Sequence, residues 1–141
     1  MMEWSFEGQM EVAQAIANQW GEWMRANDVQ EVVVEVEGVG ARAAVSSQVL
    51  SQGQWANSAL PVELVRLGVD LRVAMGRPGG GAWTWARLSM SSSQGYKLVS
   101  DFNYDREPVL DPPYTAQDVA QELEAFPRDP NTIPDWMRIG G

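Results

Sequence analysis

The chain has 141 residues, 45% hydrophobic and 21% charged, a balance that suits one self-supporting globular domain and excludes a disordered or fibrous chain. It contains no cysteine and no histidine, which excludes disulfides, Ser-His and Cys-His nucleophiles and the usual zinc cages. Nineteen acidic residues against ten basic ones leave a net charge of -9, which repels phosphate backbones and attracts basic surfaces, so nucleic acid is not an expected partner.

The opening Met1-Met2-Glu3-Trp4-Ser5-Phe6-Glu7 carries acids where a secretory leader carries bases. No apolar run approaches the roughly 18 residues of a membrane helix, so a cytoplasmic protein with no membrane partner is expected. Over residues 8–27, Val12, Ile16, Trp20, Trp23 and Met24 recur at helical spacing, and Glu11, Gln14, Asn18 and Glu22 occupy the opposite side. This predicts an amphipathic helix with Trp20 and Trp23 in its core-facing stripe.

Residues 31–37 alternate with a period of two, Val32, Val34 and Val36 on one side and Val33, Glu35 and Glu37 on the other, as in a half-buried strand. Gly38 and Gly40 bracket a reversal into a second strand over 41–46. Residues 46–57 are polar and read as a loop or a weak extension anchored by Leu50 and Trp55. Leu64, Leu67, Leu71 and Met75 predict a second helix over 60–75, weakened at Gly68, after which Arg77-Pro78-Gly79-Gly80-Gly81 reads as an open connector.

Two alternating segments, 82–90 and 96–104, flank Ser91-Ser92-Ser93-Gln94-Gly95 and predict a second hairpin. The turn-rich Asp111-Pro112-Pro113 then leads to Thr115, an N-cap with Asp118 in the first turn, and to a short third helix carrying Val119, Leu123 and Phe126. The proline-rich tail is extended or turned, with Ile133 and Trp136 clipping it to the core and 138–141 fraying. The expected fold is α+β: one domain, 1–141, with an antiparallel sheet of two hairpins, about four or more strands, packed with about three helices.

Catalysis would have to rest on carboxylates, tyrosine or Lys97, the single lysine, and an enzyme is not expected. Asp101-x-Asn103-x-Asp105 imitates the opening of a calcium loop, but the sixth position is Arg106 instead of glycine and the twelfth is Pro112 instead of glutamate, so neither metal nor cofactor is expected. Pairing Leu88 with Leu98 across the second hairpin would gather Trp83, Trp85, Arg87, Asp101 and Asn103 on one face, with Asp105 and Glu107 just beyond. Aromatics and arginine among acids suit a protein-binding surface. The competing reading is that a helix or loop of the same chain covers Trp83 and Trp85, or that a one-residue change of register mixes the faces.

Gly81-Ala82-Trp83-Thr84-Trp85-Ala86-Arg87, Asp101-Phe102-Asn103-Tyr104-Asp105-Arg106-Glu107-Pro108, Phe126-Pro127-Arg128-Asp129 and Ile133-Pro134-Asp135-Trp136-Met137 together resemble the YezG-like immunity proteins of bacterial polymorphic toxin systems. The resemblance covers roughly the C-terminal half. It implies an antitoxin that blocks the active site of a cognate toxin domain, a nuclease or NAD-consuming enzyme with a basic contact surface, and it assigns contacts to Asp101, Asp105 and Glu107. Two alternatives stand beside it: a secretion-associated adaptor or chaperone, and an enzyme using the Asp101/Asp105 carboxylates.

Overall fold

The computed structural model describes residues 6–77 and 79–138. The expectations for residues 1–5, Pro78 and 139–141 lie outside the described residues. Helix α1 spans Phe6–Ala26, and three strands follow: β1 Val29–Val39, β2 Arg42–Ser51 and β3 Gln54–Asn57. Helix α2 (Val62–Ala74), strands β4 (Trp85–Ser91) and β5 (Val99–Asn103) and helix α3 (Ala116–Ala125) complete the α+β fold. No helix among the described residues is long and apolar enough to cross a membrane.

The five strands form one antiparallel sheet in the order β3-β2-β1-β4-β5, with the alternating valines of β1 at its centre. Val32, Val34 and Val36 are fully buried and pack with Ile16, Trp20 and Met24 of α1 and Leu64 and Leu71 of α2, so both helices cover the same side of the sheet. Trp20 can be wholly enclosed because its indole Nε1, its one polar side-chain atom, donates to the Leu64 carbonyl at 3.0 Å. Helix α2 runs through Gly68 unbroken.

The β1–β2 reversal is centred on Gly40, whose φ of +64° suits the first position of a type II′ turn. A side chain at Gly40 would also place its Cβ 2.5 Å from the Asp118 carbonyl oxygen, so glycine is required on two grounds. Residues 46–57, expected as a loop or a weak extension, extend β2 and form a further strand, β3. Gln52 and Gly53, both at positive φ, make the two-residue turn between them, and the alternation on either side is too short and polar to announce a strand.

Beyond β5 the chain crosses the end of the sheet and builds a second, smaller core in which Val39, Leu110, Val119 and Met137 are buried, with Tyr114, Leu123, Ile133 and Trp136 against them. Thr115 caps α3 in a full capping box with Asp118. A buried ion pair joins the two cores: Arg72 of α2 lies 2.6 Å from Glu122 of α3, and also donates to the carbonyls of Trp83 and Gly38. Glu122 in turn accepts the Gly40 N–H at 2.7 Å.

Gly79, Gly80 and Gly81 are more than a connector. Gly79 and Gly80 bridge to Arg128, and the Asp129 N–H donates to the Gly79 carbonyl at 2.7 Å. At Gly81, with φ +74°, a Cβ would lie 2.5 Å from Arg128 Nε, so the glycines form a cradle for that arginine.

Candidate functional site

With α1 and α2 on one side, the odd-numbered residues of β1 point to the other. Cross-strand register defines that face. Glu35 lies between Ser46 and Arg87, and Arg87 lies next to Asp101. In the adjoining row Val33 lies between Gln48 and Ser89, flanked by Asn57 and Val99, and towards the turn Leu50 joins Trp55 to Glu31.

Among the described residues α1 and α2 leave this face uncovered, and α3 reaches it only at the Val39 end, where Val119 packs. Glu35, Ser46, Arg87, Val99 and Asp101 are exposed, and the Trp55 side chain is 51% accessible. Its strands carry Glu31, Glu35, Glu37 and Asp101 against Arg87 and Arg42, the latter paired with Asp118 of α3. Asp101 and Arg87 make no ion pair among the described residues, whereas Glu37 is engaged by Arg106 at 3.6 Å and by the Val109 N–H at 3.1 Å. The surface is therefore an acidic, partly apolar platform, exposed around a buried Val33 and closed at the Val39 end by residues 106–110 and α3.

The hairpin register differs by two residues from the expected one: Leu88 pairs with Ser100, and Trp85 with Asn103. A shift of two preserves which side each residue faces, so Arg87, Asp101 and Asn103 share the open face as expected. Trp83 is the correction. The alternation starts only at Trp85, because Thr84 bends the chain and donates its N–H to the Asn103 carbonyl at 2.9 Å. Trp83 therefore turns to the helix side, fully buried, with its ring 5.6 Å from Phe102 and its Nε1 donating to Met75 Sδ.

Trp85 remains on the open face but half-buried, with the Arg106 guanidinium 4.9 Å from its ring centroid. Asn103 is exposed and uses its Oδ1 to accept the N–H groups of Asp105 and Arg106, both at 2.9 Å, which turns the chain out of β5. Asp105 and Glu107 are exposed too, yet each also serves the fold. Asp105 pairs with Arg128 at 3.2 Å, and Glu107 accepts the Tyr114 hydroxyl at 2.5 Å. Burial, reinforced by that hydrogen bond and by the Glu107 charge, raises the Tyr114 pKa to about 12.

Of the expected site, the structure thus brings Trp85, Arg87, Asp101 and Asn103 onto one surface, sets Asp105 and Glu107 at its rim and removes Trp83. Trp55, expected only as an anchor of the 46–57 segment, joins the platform because the two-residue Gln52-Gly53 turn pairs it with Leu50. Among the described residues no cluster of acids is arranged to hold a metal ion. No protein-family model matches the chain, and no curated protein matches it either.

Proposed function

We propose that this chain is a toxin-neutralising immunity protein that acts in the cytoplasm by laying the uncovered sheet face over the basic active-site cleft of a toxin domain. The observation that carries this reading is the platform itself: a rigid, uncovered sheet surface with free carboxylates at Glu35 and Asp101, an arginine between them and a half-exposed tryptophan. Such a surface needs no catalytic group. A cleft that holds phosphate-bearing substrates is basic, and a chain of net charge -9 approaches it faster than a neutral one would. Trp55 on the edge strand and Arg87 on β4 are the residue types on which tight interfaces depend.

The resemblance of the C-terminal half to YezG-like immunity proteins points the same way. The alternative, an enzyme using the Asp101 and Asp105 carboxylates, would require a concave site that brings an acid and a base together. Co-expression with the product of the adjacent gene, scored for growth and for co-elution on a sizing column, is the test. Rescue of growth with a stable complex is the expected result. A neighbour that is not toxic, or a complex that forms without relieving toxicity, would sink the immunity reading and favour an adaptor.

A further inference from the structure

The sheet has a second feature, on its edge instead of its face. β3 pairs only with residues 48–51 of β2, so the N-terminal half of β2 ends the sheet. Successive residues of an antiparallel strand turn their backbone groups to opposite neighbours. Ser51 and Gln54 flank the two-residue turn, and the Ser47 carbonyl accepts the Ser58 N–H at 2.9 Å, so odd-numbered β2 residues address the β3 side. Past the end of β3, the N–H and C=O groups of Ala43 and Val45 therefore face outward.

Edges of this kind are normally blunted by a lysine, a proline, a bulge or an inward charge. Residues 43–46 are Ala-Ala-Val-Ser, all exposed, with none of these devices. The adjoining flank of α2 carries exposed valines: Val62 and Val73 are 65% and 44% accessible and Val69 lies between them at helical spacing, with Arg66 as the one charge on that line. Val69, Val73 and Ala43, with Ala125 and Phe126 of the α3 end, line a groove of about 340 Å³ beside the open edge.

We infer that this edge pairs with the same edge of a second copy, joining two sheets into one antiparallel sheet about a two-fold axis near Val45. Charge selects that occupant. Neither residues 42–48 nor the groove lining contains a carboxylate, in a chain with nineteen, so copies repelled elsewhere by their net charge of -9 meet here without facing acids. A basic partner gains nothing from the same strip. Antiparallel pairing of a strand with itself is self-complementary, as a two-fold contact requires, and puts the partner copy's Val45 on the side of the groove. Four strand residues span roughly 13 Å, and the flank of α2 roughly 20 Å. A patch of that size falls short of the roughly 800 Å² per partner of a tight interface, so the dimer is weak and reversible.

Sedimentation velocity on the intact chain, from low micromolar to millimolar concentration, is the test. The expected result is a monomer that becomes a dimer as concentration rises, with dimerisation strengthened by added salt because salt screens the repulsion between acidic copies. Val45→Pro removes one outward N–H without touching the β1 ladder and should weaken the dimer at least tenfold, as should Val73→Glu on the helix flank. Val99→Glu, on the far edge strand, should leave it unchanged. A chain that stays monomeric throughout overturns the inference, as does a dimer indifferent to both Val45→Pro and Val73→Glu. Capture of an extended segment of another protein by a persistently monomeric chain would also overturn it. Neither result bears on the platform, whose toxin complex should instead weaken with salt.

Discussion

Arg128 and Asp105 lie 3.2 Å apart, with the guanidinium enclosed and the carboxylate largely in solvent. The arginine also donates to the carbonyls of Ala82, Tyr104 and Thr132, and Trp136 Nε1 donates to the Asp105 carbonyl at 2.8 Å. Asp105, Arg128 and Trp136 thus converge as a clasp that fastens the C-terminal segment to the end of β5 and to the glycine cradle. Arg128→Ala should cost about 3 kcal/mol or more, because it strands buried carbonyls. Asp105→Asn should cost under about 1 kcal/mol, as an exposed partner does. Chemical denaturation of both variants measures the difference, and equal losses would refute the clasp.

The Arg72–Glu122 pair sits where α2, α3 and the ends of β1 and β4 meet, and both side chains are out of solvent. Removing one partner leaves an uncompensated buried charge, so Glu122→Ala should lose about 3–5 kcal/mol. The paired change Arg72→Met with Glu122→Leu should recover part of that loss, since apolar replacement of the whole pair removes the stranded charge. A double-mutant cycle by urea denaturation reads the coupling. Strictly additive losses would contradict it.

Asp118 holds its charge more tightly than an ordinary carboxylate. The Thr115 N–H bonded to it is the main cause, and Arg42 at 3.3 Å adds to it, so the folded pKa lies below the usual 3.8. A depressed carboxylate contributes stability that is fully present above its unfolded pKa and is lost as pH falls through the lower folded value. Asp118→Asn should therefore melt below wild type at neutral pH, with the two converging below about pH 4. Thermal melts across that range check it, and a gap constant with pH would assign the loss to shape alone.

On the platform, Trp55→Ala and Asp101→Lys should impair partner binding and leave the circular-dichroism melt close to wild type, because both side chains are exposed and support no core. Trp83→Ala should do the opposite, losing about 3–5 kcal/mol as a large core deletion. If Asp101→Lys lowered the melting temperature as much as Trp83→Ala, the face would be structural.

Much of the architecture was legible because periodicity is local. The valines of β1, the stripe of α1 and the Thr115–Asp118 cap each declare their element within a few residues. The face carrying Arg87 and Asp101 was legible for the same reason, since a register error of two residues leaves side-chain direction unchanged. Tertiary structure alone decided the rest. Trp83 left the expected surface because a bend at Thr84 breaks the alternation. The three glycines became a cradle because Arg128 arrives from nearly fifty residues away. The open platform exists because both long helices chose the same side of the sheet, and that choice depends on how the whole chain shares its apolar area, which no local pattern records.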